Sequence, residues 1–166
     1  MALLVQVLRL VDSEKKAAMP YIYEAMDNAK EVIEKSFTND EGKYKDVIAI
    51  IDTRWDCQLH RPLHAAGHYL NPEYFYSNPG LERNMEAVDG LYQYIRRLVS
   101  SQDVQNKILG ELSAYRSASG HFGIDFAIRQ RKTISPAQWW KNNGCSAPNL
   151  QDLAIKILSL TCSASV

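Results

Sequence analysis

Between Pro148 and Leu158 the apolar residues Leu150, Leu153, Ala154, Ile157 and Leu158 fall at i, i+3, i+4, i+7 and i+8, the spacing of a helix that buries one face. Asn149, Gln151, Asp152 and Lys156 cover the other side. Asp152 stands near the positive end of the helix dipole, where a carboxylate is favoured. A second helix precedes it. Ser135 is a hydroxyl N-cap, Pro136 suits the first helical position and Gln138 stands at N3, which together write a helix start. Gly144 ends that helix where a residue of positive φ is expected. This helix carries Trp139 and Trp140, about 100° apart around its axis, so a single narrow core contact does not cover both. Either one indole lies in the core and the other at its rim, or the pair anchors a protein partner, because Trp is enriched in interface hot spots.

The rest of the chain repeats helical spacing. Residues 2–11 are apolar on nearly all sides, with only Gln6 and Arg9 polar, which predicts a buried helix. From about Pro20 to Phe37, the residues Ile22, Ala25, Ala29, Val32, Ile33 and Phe37 are expected to face inward. A helix over Lys43 to Trp55 puts Tyr44, Val47, Ile48, Ile51 and Trp55 on one face. Asn71 and Pro72 form a capped start to the aromatic run Tyr74, Phe75 and Tyr76, a loop or short helix laid across the bundle with its tyrosine hydroxyls reaching water. Leu81 to Val99 is strongly periodic through Leu81, Met85, Val88, Leu91, Tyr92, Ile95, Leu98 and Val99, and Gly90 inside it points to a close helix crossing. Ser100 with Asp103 opens the next helix, whose stripe is Val104, Ile108, Leu112 and Tyr115. Ser117 to Gly123 reads as a hinge-like linker, and Asp125 to Lys132 as a short helix. There is no convincing strand alternation, no Gly-rich phosphate loop and no strong nucleophile setting. About eight helices with short connections predict an all-α multi-helix bundle.

Composition narrows the function. Nineteen basic and nineteen acidic residues among 166 give no net charge, which argues against an autonomous nucleic-acid clamp. The basic residues Arg129, Arg131 and Lys132 close a short helix, where cations suit the dipole; the alternative is a phosphate-contacting patch. Three cysteines are too few for a disulfide framework and fit a reducing compartment. The apolar start is too short to span a membrane and lacks the basic region of a signal peptide. One constellation has metal-ligand types: Cys57, His60, His64 and His68, with the histidines four apart. Two histidines at i, i+4 share a zinc ion in helical metal sites. Pro62 breaks that ridge by placing His60 outside the helix, so packed histidines and a buried thiol are the simpler reading, with a small structural zinc domain as the alternative. No cofactor, small-molecule substrate or membrane partner is expected.

A family likeness adds to this. Trp139, Trp140, Lys141 and Gly144, then Pro148, Asn149, Leu150, Leu153, Ala154, Leu158 and Ser159, then the small residues Thr161 to Ser165, resemble the C-terminal dimerisation region of hobo/Activator-type (hAT) transposases and their domesticated plant relatives. The segment Ile51-Asp52-Thr53-Arg54-Trp55-Asp56, followed by Pro62-Leu63 and Asn71-Pro72, is similar to the plant branch. The resemblance implies a fragment of the helical insertion and C-terminal part of an RNase H-like transposase, divided into a bundle at 1–117 and a dimerisation-like unit at 118–166. It implies dimerisation through Trp139, Trp140, Leu150, Leu153, Ala154, Ile157 and Leu158, with itself or with related hAT-type proteins, in the nucleus. In the family the small-residue run leads into a Ser/Cys-Glu-Arg motif carrying the third metal-binding acid; here the chain reads Ala164-Ser165-Val166. The catalytic aspartates and the zinc-finger DNA-binding domain have no matching positions. The expectation is therefore a transposase-derived protein that is not itself an enzyme.

Overall fold

The structure is a computed structural model that describes residues 19–38, 40–58 and 62–160, without the side chains of residues 41 and 54–58. The expected helix at 2–11, the side chains of Trp55 and Cys57, His60, and the run Thr161 to Ser165 lie outside the described residues. Among the described residues there are nine α-helices and no strand: α1 (Ile22–Ser36), α2 (Glu41–Gln58), α3 (Pro62–Leu70), α4 (Pro72–Ser77), α5 (Met85–Leu98), α6 (Gln102–Arg116), α7 (Asp125–Gln130), α8 (Pro136–Asn143) and α9 (Pro148–Leu158). The all-α bundle expected from periodicity is the fold observed. None of these helices is long and apolar enough to cross a membrane.

The short helix α3 sits at the centre. Its seven residues from His64 to Leu70 are all buried, so it reads as a helix covered on every side. Pro62 occupies its first position, where a missing N–H removes nothing the helix needs. Its closest neighbour is α5, and Gly90 is the reason. A Cβ added there would lie 2.6 Å from the Pro62 carbonyl oxygen and 2.8 Å from the Ala65 Cβ, so only glycine lets the two backbones approach.

Local signals place most of the other starts. The Asn71 side chain accepts from the Glu73 amide at 3.0 Å and donates to the Pro20 carbonyl at 3.1 Å, so one buried residue caps α4 and ties it to the start of α1. Asn84 caps α5 by accepting from the Ala87 amide at 3.0 Å. The cap of α6 is Ser101, not Ser100: its Oγ accepts from the Val104 amide. The stripes hold only in part. Val32 is 42% exposed and Met85 75% exposed, while Met26, outside the expected set, is buried. The buried face of α5 is Ala87, Gly90, Leu91 and Ile95, and Met85 lies about 160° from Ala87 around the axis, on the outward side. On α1 the buried face is Ile22, Met26 and Ala29, and Val32 lies on its flank.

The connection from Ser117 to Gly123 is fastened in several places. Ala118 adopts φ +49° and Gly120 φ +60°, and Phe122 between α6 and α7 is fully buried. A Cβ on Gly123 would meet the Ala118 carbonyl oxygen at 2.1 Å. One continuous hydrophobic core runs from Met19 and Ile22 to Leu158, and α9 packs on α3 as well as on α6 and α8.

Candidate association unit

Residues from α6 onward build a unit around one tyrosine. Tyr115 follows Ile108 and Leu112 on the buried stripe of α6, which aims its ring into the centre. There the ring meets Phe75 at 4.6 Å, Trp140 at 4.8 Å, Tyr76 at 5.3 Å and Phe122 at 5.6 Å between centroids. These separations and tilts are those at which aromatic pairs attract beyond simple burial. The Tyr115 hydroxyl donates to the Tyr69 carbonyl at 3.2 Å, and complete burial pushes its ionisation far above the ordinary tyrosine range. The Tyr76 hydroxyl, expected in water, instead donates to the Tyr115 carbonyl at 2.6 Å.

Both indoles lie inside this cluster. Trp139 and Trp140 are each 0% exposed. The Trp139 Nε1–H donates to the Ala127 carbonyl and the Trp140 Nε1–H to the Leu70 carbonyl, each at 2.8 Å. Leu150, Leu153, Ala154, Ile157 and Leu158 are likewise covered by the chain's own residues. Neither sequence reading of the tandem tryptophan describes this arrangement. The two rings are perpendicular, 5.7 Å apart, and α7 and the end of α3 supply an acceptor on two different sides. These seven side chains are covered within one chain and hold the unit together.

Two polar contacts that sequence reading missed complete the unit. The Glu111 carboxylate accepts from the Leu150 amide and from the Asn149 side-chain amide, each at 2.7 Å. It caps α9 from another helix, because Ala147 at the N-cap position offers no side-chain acceptor and the first amides of a helix need acceptors. Nothing in the local sequence marks Glu111, which acts across 38 and 39 positions. The Gln151 side chain folds back to donate to the carbonyls of Trp140 at 2.7 Å and Lys141 at 3.3 Å, satisfying the end of α8. This also corrects the reading of Gly144. Its φ is −87°, open to any residue; glycine is needed because a Cβ would lie 2.9 Å from Gln151 Cγ.

The basic residues divide. Arg131 is committed to the fold: its guanidinium lies 3.6 Å from the Tyr76 ring centroid and donates to the Phe122 carbonyl at 3.2 Å. A cation fixed over a ring inside a protein is structural before it is a phosphate ligand. Arg129 and Lys132 remain exposed. Of the metal candidates, His64 and His68 are both buried on α3. His68 is stacked between Tyr23 at 5.7 Å and Tyr74 at 5.3 Å, and burial pushes its imidazole down to about 4. Among the described residues no group of three His, Cys, Asp or Glu is placed to hold a metal ion.

Fold and unit together define an all-helical module whose C-terminal third is sealed by an aromatic cluster. Residues 111–166 match the family model described as the hAT family C-terminal dimerisation region. The matched region begins at Glu111, the residue that caps α9, and is described by its role in dimerisation. No curated protein and no solved structure matches the chain significantly.

Proposed function

We propose that this chain is a transposase-derived association module that pairs with itself or with a longer hAT relative and cuts no DNA of its own. The observation that carries the reading is the match of residues 111–166 to a dimerisation region. The balanced charge leaves association unopposed by net repulsion. The commitment of Arg131 to Tyr76 and Phe122 removes one of the three cations on which a nucleic-acid reading would stand. A division into a bundle at 1–117 and a unit at 118–166, a place in the plant branch and work in the nucleus belong to the same proposal, supported by the resemblance of Ile51 to Asp56 and of Trp139 to Ser159.

Size-exclusion chromatography with light scattering tests it. The expected result is a mass that rises from one chain towards two across the micromolar range. A mass of one chain at every concentration, alone and mixed with a full-length hAT transposase, overturns the proposal.

A further inference from the structure

We propose that α7 is the face across which two copies of this chain meet, as an antiparallel helix pair about a two-fold axis. The inference rests on the association reading above and names its surface. Four large apolar side chains are exposed among the described residues of the matched region: Ile124 at 40%, Phe126 at 66%, Ile128 at 47% and Leu160 at 42%. Three of them fall within five positions, on one six-residue helix and its cap. Apolar residues exposed singly need no explanation, but a cluster in a segment matched to a dimerisation region does.

The positions on α7 are self-complementary. Ala127 is buried and fixes which way the helix faces. At about 100° per residue, Asp125 and Arg129 then share the opposite, outward face, and both are exposed. Phe126 lies on one flank of that face, with the Arg129 guanidinium 5.0 Å from its ring centroid. Ile124 and Ile128 lie on the other flank. A two-fold axis normal to the plane of two antiparallel α7 helices sets Asp125 against Arg129 of the second copy, and Arg129 against its Asp125. The same axis keeps each flank on its own side, so Phe126 meets Phe126 and the isoleucines meet isoleucines. An isologous contact requires this kind of self-matching. A nucleic acid on the same face would meet the carboxylate of Asp125. A contact built on a six-residue helix about 9 Å long covers far less than the roughly 800 Å² per partner of a standard interface, so a weak, concentration-dependent dimer is expected.

Sedimentation equilibrium of the whole chain is the test, with circular dichroism to verify that each variant is folded. Phe126→Asp, at an exposed position, is expected to weaken the dimer at least about tenfold with an unchanged spectrum. Asp125→Arg and Arg129→Asp each set like charges against one another and are expected to weaken it, whereas the double exchange restores it. A wild-type dimer indifferent to Phe126→Asp overturns this face and leaves the association reading standing. A double exchange that fails to restore the dimer overturns the antiparallel pairing. A wild-type chain that is monomeric throughout overturns both readings.

Discussion

Helices α2 and α9 both carry an apolar stripe at helical spacing, yet only one of them is fully covered. On α9 the five stripe residues are all buried, because α3, α6 and α8 converge on it and Glu111 holds its first turn. On α2 only Ile51 of the described stripe is buried; Tyr44 and Ile48 are half-buried, Val47 is 37% exposed and its neighbour Ile50 is 64% exposed. Its main helix contact is with α1, with an ion pair between Lys30 and Asp52 at 2.5 Å. Spacing makes a face. Whether the face is covered depends on elements from elsewhere in the chain: among the described residues three helices converge on α9, whereas the main helix contact of α2 is with α1.

The sharpest way to break this contrast is Trp140→Ala. It removes a fully buried indole and leaves the Leu70 carbonyl without its donor, and the expected loss is about 4 kcal/mol in urea unfolding. A loss below about 1 kcal/mol would mean that the aromatic unit is held no better than α2.

Acid comes next, and it acts where α1 meets the centre. His68 ionises at about 4 in the fold because burial disfavours its charge, against about 6.5 in the unfolded chain. The unfolded state therefore binds the extra proton between these values. The contribution of neutral His68 is fully present above pH 6.5 and is lost as pH falls towards 4, by about 3 kcal/mol in all. Asp27 on α1 shifts the opposite way, raised by desolvation, so its protonation as pH falls opposes part of this loss. His68→Phe keeps a ring between Tyr23 and Tyr74 while removing the titration. Chemical unfolding from pH 7 to pH 4 should show a shallower dependence for that variant than for the wild type; parallel curves would refute the assignment.

The paired glycines sharpen the point with smaller effects. Gly90→Ala is expected to destabilise by about 2 kcal/mol, since its Cβ lands against the α3 backbone. Gly110→Ala meets nothing within 4 Å and should stabilise by up to about 1 kcal/mol through helix propensity alone. Thermal melts of the two variants must move in opposite directions. Smallest of all, Ile50→Ser on α2 should change unfolding by no more than about 0.5 kcal/mol; a larger loss would mean that α2 is covered by more than α1.

Much of this molecule could be read from short spans. Asn71 with Pro72, Ser135 with Pro136, and the α9 stripe act within one or two turns, so their roles follow from helix geometry. Gly90 was legible as a crossing point because an interior glycine weakens a helix without some gain elsewhere. Gly144 was placed correctly for a different reason: the crowding atom belongs to Gln151 on the next helix, not to its own φ.

By itself, then, the order of residues determined an all-helical chain, most helix starts, the faces those helices bury and the likeness of its last third to a dimerisation region. Only the tertiary structure decided what those faces meet. It turned Trp139 and Trp140 from partner-seeking indoles into core by setting the carbonyls of Ala127 and Leu70 beside them, 12 and 70 positions away. It also drew Arg131 inward and left Phe126 outside. The physical reason is that helical periodicity is a local property, set within a few residues, whereas the acceptor for a buried N–H and the cover for an apolar face come from segments that only folding brings together.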